Sequence, residues 1–213
     1  MEKVQFTDLC RKLSTRGGHA LSKAILPVVE GHLAQNRKYK LPVIWIETSD
    51  SGDNNIAFMN TTYPYLGRVF TEMIDLLYSN TFMAAQGQDA LIILEQAAAL
   101  YRGMFTLVVE GAVPTRDGGL YTIIARTATR AITALEAVTW LGSLAKHIVA
   151  VGTCASFGGP SAARPNLTGS VGVRDVLNRE IINVSGCPVN PDWFVGTLAH
   201  LLMYGRPELD DLG

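Results

Sequence analysis

Four short apolar runs, separated by helix-like text, constrain this chain more than any other feature. They fall at residues 41–46, 105–109, 147–151 and 181–184, and each closes on glutamate or glycine within two residues. None alternates apolar with polar side chains as a half-exposed strand does. Near-continuous apolar runs fit strands buried on both faces, the usual state of a parallel sheet flanked by helices. Helical spacing recurs between and after them, over 65–78, 88–101, 129–144, 171–177 and 192–204. In the first of these, Leu66, Val69, Phe70, Met73, Ile74 and Leu77 share one face. The reading is an α/β fold with a doubly wound parallel sheet. Ahead of it, Phe6, Leu9, Leu13, Leu21, Ile25 and Leu26 recur at near-helical spacing, interrupted by Gly17-Gly18. The expected organisation is an N-terminal helical arm over 1–40 and one domain over 41–213.

Bulk properties exclude several classes. The net charge is −1 and no basic stripe alternates with aromatics, so nucleic acid is not an expected ligand. No apolar run approaches the roughly 18 residues of a membrane span. Three cysteines make no disulfide framework. The basic first forty residues lack the apolar stretch of a secretory signal. Hydrophobic residues make up 48% and charged residues 17%, which favours a large core and hints at a surface covered by a partner.

In a parallel sheet the four loops at 47–55, 110–114, 152–159 and 186–191 leave the same edge, where such folds bind ligands. Two of them carry cysteines in matching strand–glycine–cysteine contexts: Cys154 after Gly152, and Cys187 after Gly186. Thiols on two converging loops suit an iron–sulfur cluster, and the glycines allow close approach of a bulky ligand. The same edge carries Glu47, Glu110 and the segment Asp50-Ser51-Gly52-Asp53. Ser, Asp and Gly are also common turn formers, so the first loop read alone is an ordinary polar turn. The chain has no G-x-G-x-x-G, P-loop, H-E-x-x-H or C-x-x-C. His19, His32, His147 and His200 are scattered and read as structural. Cys10, in the arm, reads as structural or exposed, with a third thiolate as the alternative if the arm folds back.

The segments Pro42-Val43-Ile44-Trp45-Ile46, Val109-Glu110-Gly111-Ala112-Val113-Pro114, Gly152-Thr153-Cys154-Ala155-Ser156-Phe157-Gly158-Gly159 and Gly186-Cys187-Pro188-Val189-Asn190-Pro191-Asp192-Trp193 resemble the small subunit of nickel–iron hydrogenases, in order and with compatible spacing. The resemblance implies a flavodoxin-like fold. It also implies a proximal 4Fe–4S or 3Fe–4S cluster beside a large subunit that carries the nickel–iron centre. Cys154 and Cys187 would be cluster ligands, and Gly152, Gly186 and Pro188 would line the cofactor. Glu47, Asp50 and Glu110 would serve proton transfer. Related respiratory complex I subunits share the fold, but their adjacent-cysteine signature is absent.

The departures from that family are as informative. Its first loop usually supplies two ligands from C-x-x-C. Without gaps those positions here are Ser51 and Asn54. With a one-residue gap, Asp53 takes the place of an aspartate used in some classes, and Asp50 that of the cysteine. Both registers stand at this stage. Carboxylate is a harder ligand than thiolate and shifts the iron potential. The histidine and further cysteines of a second relay domain are missing, so one cluster at most is expected. Without a twin-arginine signal the cytoplasm is expected, with membrane association only through partners. The main expectation is an electron-transfer subunit for hydrogen oxidation, with a separate electron-carrier protein as a further partner. The alternative is a clusterless hydrogenase-like scaffold for assembly or regulation. A flavin-binding module rests on fold analogy alone.

Overall fold

A computed structural model describes Gly31 and residues 39–213. The arm expected over 1–40, apart from these few positions, and with it Cys10, lies outside the described residues. Five strands form the central sheet: β1 (Leu41–Glu47), β2 (Ile74–Ser79), β3 (Thr106–Glu110), β4 (His147–Val151) and β5 (Ile182–Val184). Their spatial order is β2-β1-β3-β4-β5, and every pair is parallel. This is the flavodoxin-like order, in which the chain reverses direction across the sheet between β1 and β3. The four expected strands are present within a residue or so of each end.

Both faces of the sheet are covered, as the near-continuous apolar runs require. Val43, Trp45, Val108 and Val149 point to one face. They pack there with Phe58 of α1 (Asp53–Met59) and with Phe194, Leu198 and Leu202 of the closing helix Pro191–Tyr204. Ile44, Ile46, Leu107, Val109 and Ile148 point to the other. They meet Leu94 and Ala98 of α2 (Gly87–Leu100) and Val138 and Leu141 of α3 (Ala134–Leu144). Each such Val, Leu, Ile or Phe side chain contributes about 1.5–3 kcal/mol when withdrawn from water. Helix starts follow local chemistry. Thr133 caps α3 by accepting from the Glu136 amide, with Glu136 three residues on as in a capping box. Asn190 caps the closing helix, with Pro191 at its first position.

Two helical expectations are corrected. The amphipathic helix read over 65–78 is helical only at Leu66–Arg68 and through a π turn at Val69–Met73; Ile74–Ser79 is the edge strand β2. Ile74, Leu76 and Tyr78 also satisfy a period of two. Pairing of Leu41 with Ile74 and Val43 with Leu76 decides between the two periods. The helix read over 129–144 begins at Ala134, because Ala131–Thr133 pairs antiparallel with Ile123–Arg126 in a hairpin. A third segment, Gly152–Phe157, is the short helix α4 rather than a loop, so Cys154 lies in a helical first turn.

Candidate metal centre

The first loop is fastened across the switch point between β1 and β3. The Thr48 amide donates to the Glu110 carbonyl at 2.8 Å, and Ser49 and Ala112 exchange amide bonds of 3.0 Å. The Asp50 carboxylate then accepts from the Gly52 amide at 2.9 Å, which turns the chain into α1. The first residues of α1 therefore face the ends of β3, β4 and β5.

Glu110 lies at the bottom of this arrangement, fully buried. Its Oε1 accepts from the amides of Asn54 (3.0 Å) and Asn55 (3.3 Å). Its Oε2 accepts from Trp45 Nε1 (3.1 Å) and Asn55 Nδ2 (2.6 Å). Burial and the adjacent Asp50 carboxylate push its pKa up to about 8, against the lowering effect of the Asn54 and Asn55 donors. Asn54 joins three loops. Besides its amide bond to Glu110, its Oδ1 accepts from the Val189 amide at 2.8 Å, and its Nδ2 donates to Asp53 Oδ1 at 3.1 Å.

The two cysteine loops are joined directly. The Thr153 amide donates to the Gly186 carbonyl at 2.8 Å, and the Gly186 amide donates to Thr153 Oγ1 at 3.2 Å. Gly152 has φ +86°, and a Cβ there would stand 2.5 Å from Asn54 Nδ2. At Gly159 a Cβ would stand 2.5 Å from Cys154 Sγ, so this glycine makes room for the thiol. Cys187 is exposed, precedes a cis peptide to Pro188, and places Sγ 3.6 Å from Asp53 Oδ2. Carboxylate oxygens of Asp50, Asp53 and Glu110 all lie within 4.8 Å of one another.

The residues expected from sequence thus divide. Cys154, Cys187, Asp50, Asp53 and Glu110 converge, with Gly152, Gly186 and Pro188 framing them. Ser51 is exposed, and its hydroxyl makes no hydrogen bond among the described residues. Glu47 turns to the loop after β2, where its carboxylate accepts from Thr81 and its amide donates to Asn80. Sequence reasoning missed Trp45, Asn55 and Gly159. A tryptophan in a buried strand needs an acceptor for its N–H, and that need was the available signal for Trp45.

The electrostatics are one-sided. Burial, followed by Asp50, Cys187, Asp53 and Glu110, pushes the Cys154 thiol up. The Asp53 charge and its hydrogen bond, followed by burial and Asp50, push Cys187 up. No lysine or arginine lowers either thiol or Glu110. Five acidic groups converge with no countercharge among the described residues. A cation is what would let them ionise together, and thiolates joined with carboxylate form a donor set that suits iron. The residues present fit an iron-based group.

Fold and site together define a flavodoxin-like α/β domain with a thiol–carboxylate centre at its switch point. The family described as NADH ubiquinone oxidoreductase, 20 Kd subunit, matches residues 52–201. The chain is 34% identical to the periplasmic [NiFeSe] hydrogenase small subunit of Desulfomicrobium baculatum, over 100% of this chain and 72% of that one. It is 36% identical to the periplasmic [NiFe] hydrogenase small subunit of Solidesulfovibrio fructosivorans, over 100% and 65%. It is 33% identical to the hydrogenase-2 small chain of Escherichia coli K12, over 99% and 55%. Among solved structures, the reduced, active Ni-Fe-Se hydrogenase of Desulfomicrobium baculatum superposes with a TM-score of 0.78 at 36% identity, over 82% of this chain and 69% of that one. The actinobacterial-type NiFe-hydrogenase of Ralstonia eutropha H16 gives 0.70 at 26% identity, over 81% and 57%. The chain belongs to the nickel–iron hydrogenase small subunits, within the wider 20 Kd subunit family. It spans between 55% and 72% of the length of the three sequence relatives named. No helix among the described residues is long and apolar enough to cross a membrane. The cytoplasmic expectation draws no support from these relatives, two of which are described as periplasmic.

Proposed function

We propose that this chain is the electron-transfer subunit of a nickel–iron hydrogenase working in hydrogen uptake, with one iron–sulfur cluster in the domain described. The observation that carries the reading is the convergence of two thiols and three carboxylates on one sheet edge without a countercharge. Cys154 and Cys187 would hold the cluster, with Asp53, already against Cys187, as the oxygen ligand. The gapped register is favoured because Asn54, the rival position, is engaged by Val189 and nearly fully buried. The cluster would supply one-electron transfer. Gly152, Gly186 and Pro188 would frame it, Glu110 would hold and pass a proton at its edge, and Asp50, in the cysteine's place in this register, would stand beside Asp53 as a further oxygen donor. The partner would be a large subunit carrying the nickel–iron centre, with a separate carrier protein taking the electrons.

The test is iron and acid-labile sulfide in protein isolated without oxygen, as the complex. Cys154→Ala and Cys187→Ala are expected to lose both, and Cys10→Ala to keep both. The first loop contributes no thiol, which favours one rival: a clusterless scaffold that binds a large-subunit-like partner. Stoichiometric absence of iron from the intact complex would select that rival.

A further inference from the structure

A second cavity lies away from the thiol–carboxylate centre, on the β2 side of the sheet. It is an open cleft of about 520 Å³ between the end of β2, the first two turns of α2 and the strand Ile123–Arg126. That size suits a small molecule. None of the residues of the metal centre lines it.

Its polar lining offers several donors. Tyr78 is 6% exposed, and its hydroxyl has no hydrogen-bond partner among the described residues. Burial and the nearby Glu47 carboxylate raise its pKa, so the phenol stays protonated and can donate. Asn80 uses its Oδ1 to accept from the Glu47 amide, which leaves its NH₂ to donate. Gln86 and Gly87 open α2, a helix of 14 residues whose start has no side-chain cap. Its first amides are therefore free to face an acceptor. Arg126 is the one charged residue of the lining and makes no ion pair among the described residues. No carboxylate lines the cavity: Asp89, in the first turn of α2, is not among its lining residues, and Glu47, which raises the Tyr78 pKa, is held by Thr81. The remaining wall is apolar, formed chiefly by Met83, Leu91, Leu94 and Ile123.

We propose that this cavity binds a small aliphatic carboxylate, its head taken by Arg126, the Tyr78 hydroxyl and the start of α2, and its tail lying on Met83, Leu91 and Leu94. One guanidinium in a lining without a carboxylate selects a monoanion. The apolar wall selects against a bare inorganic anion, which would leave that surface without a partner. Tyr78 distinguishes the site from an ordinary helix start, because its ring is buried while its hydroxyl, without a partner among the described residues, stays open to a ligand oxygen.

The experiment is calorimetric titration of the complete complex with octanoate, octanol and inorganic phosphate in parallel. Saturable binding of one octanoate per chain is expected, with octanol and phosphate at least about tenfold weaker. Arg126→Gln, at an exposed position, is expected to weaken octanoate about tenfold or more, and Tyr78→Phe by a smaller factor of about two to ten. Absence of saturable octanoate binding overturns the proposal. So does octanol binding as tightly as octanoate, which would mark a merely greasy cleft, or phosphate doing so, which would mark a bare anion site. Octanoate binding untouched by Arg126→Gln places the ligand elsewhere and also overturns it, whatever the yield of Tyr78→Phe.

Discussion

Glu110 is the residue on which burial and charge disagree most. Folding withdraws it from water beside Asp50, so it holds its proton up to about pH 8, whereas the unfolded chain releases it near 4.5. Between these values the folded state binds more protons than the unfolded one. Stability therefore falls as pH rises through that window, and the penalty vanishes below it. Denaturant unfolding of the iron-free chain at a series of pH values is expected to show this decline, and Glu110→Gln to flatten it. An unchanged slope in the variant would assign the effect to another group. Asp53 makes a second residue-scale prediction. Asp53→Cys is expected to keep the cluster with a shifted potential, and Asp53→Ala to leave iron labile or substoichiometric. Asp50→Asn separates the registers: with Asp50 in the cysteine's place iron content is expected to fall, whereas intact iron with slowed proton-coupled turnover would select the ungapped register. Iron analysis and potentiometry of the three variants check this together. The meeting of the two cysteines with the acids on one edge was legible in the sequence, because each follows a glycine at the end of a buried strand. The choice between Asp53 and Asn54 was not, since one inserted residue in a turn moves every later side chain. Only the hydrogen bond from Val189 to Asn54 shows which of them is turned inward.

At the scale of elements, the site depends on short pieces held by neighbours rather than by their own propensity. α1 has seven residues and α4 six, lengths at which an isolated helix does not form. Each is fastened by contacts to another strand's loop. Gly152→Ala tests that dependence. The new Cβ would meet Asn54 in a backbone conformation that non-glycine residues avoid, so a loss of about 1–3 kcal/mol is expected. It would be read as a lower urea midpoint with unchanged slope. Thr133→Ala, which removes the cap of α3, is expected to cost about 1 kcal/mol in the same assay. The π turn into β2 explains why the segment 65–78 misled a reading by period. Its apolar residues satisfy both a helical face and alternate strand positions, and the choice falls to the free edge of β1. The hairpin before α3 was hidden for a similar reason, because Ala131 to Thr133 is too short to display any period.

For the whole molecule, the elements that build the centre also leave apolar side chains in water. Ile56 and Met59 of α1, Phe157 at the end of α4 and Trp193 near the start of the closing helix are 41–56% exposed. Apolar groups around a functional edge mark a surface that another protein covers. Obligate interfaces of this kind bury roughly 2,000–5,000 Å². Met59→Asp and Trp193→Asp are expected to weaken assembly with the large subunit at least about tenfold, consistent with loss of central apolar anchors. Their thermal unfolding should stay close to that of the unaltered chain. Native mass spectrometry of the co-expressed subunits provides the measurement, and full assembly of both variants would refute this placement of the interface. The sequence by itself determined the class of fold, four of the five strands, and the sheet edge on which the two thiols and the acids gather. Each of these depends on a pattern within one short segment, either continuous apolarity or a glycine at a strand end. Only the tertiary structure decided the edge strand β2, the inward turn of Asn54, the burial of Glu110 under Trp45 and the cavity beside Tyr78. Each of these depends on residues far apart in the chain meeting across a loop or a strand pair, and no local pattern records that meeting.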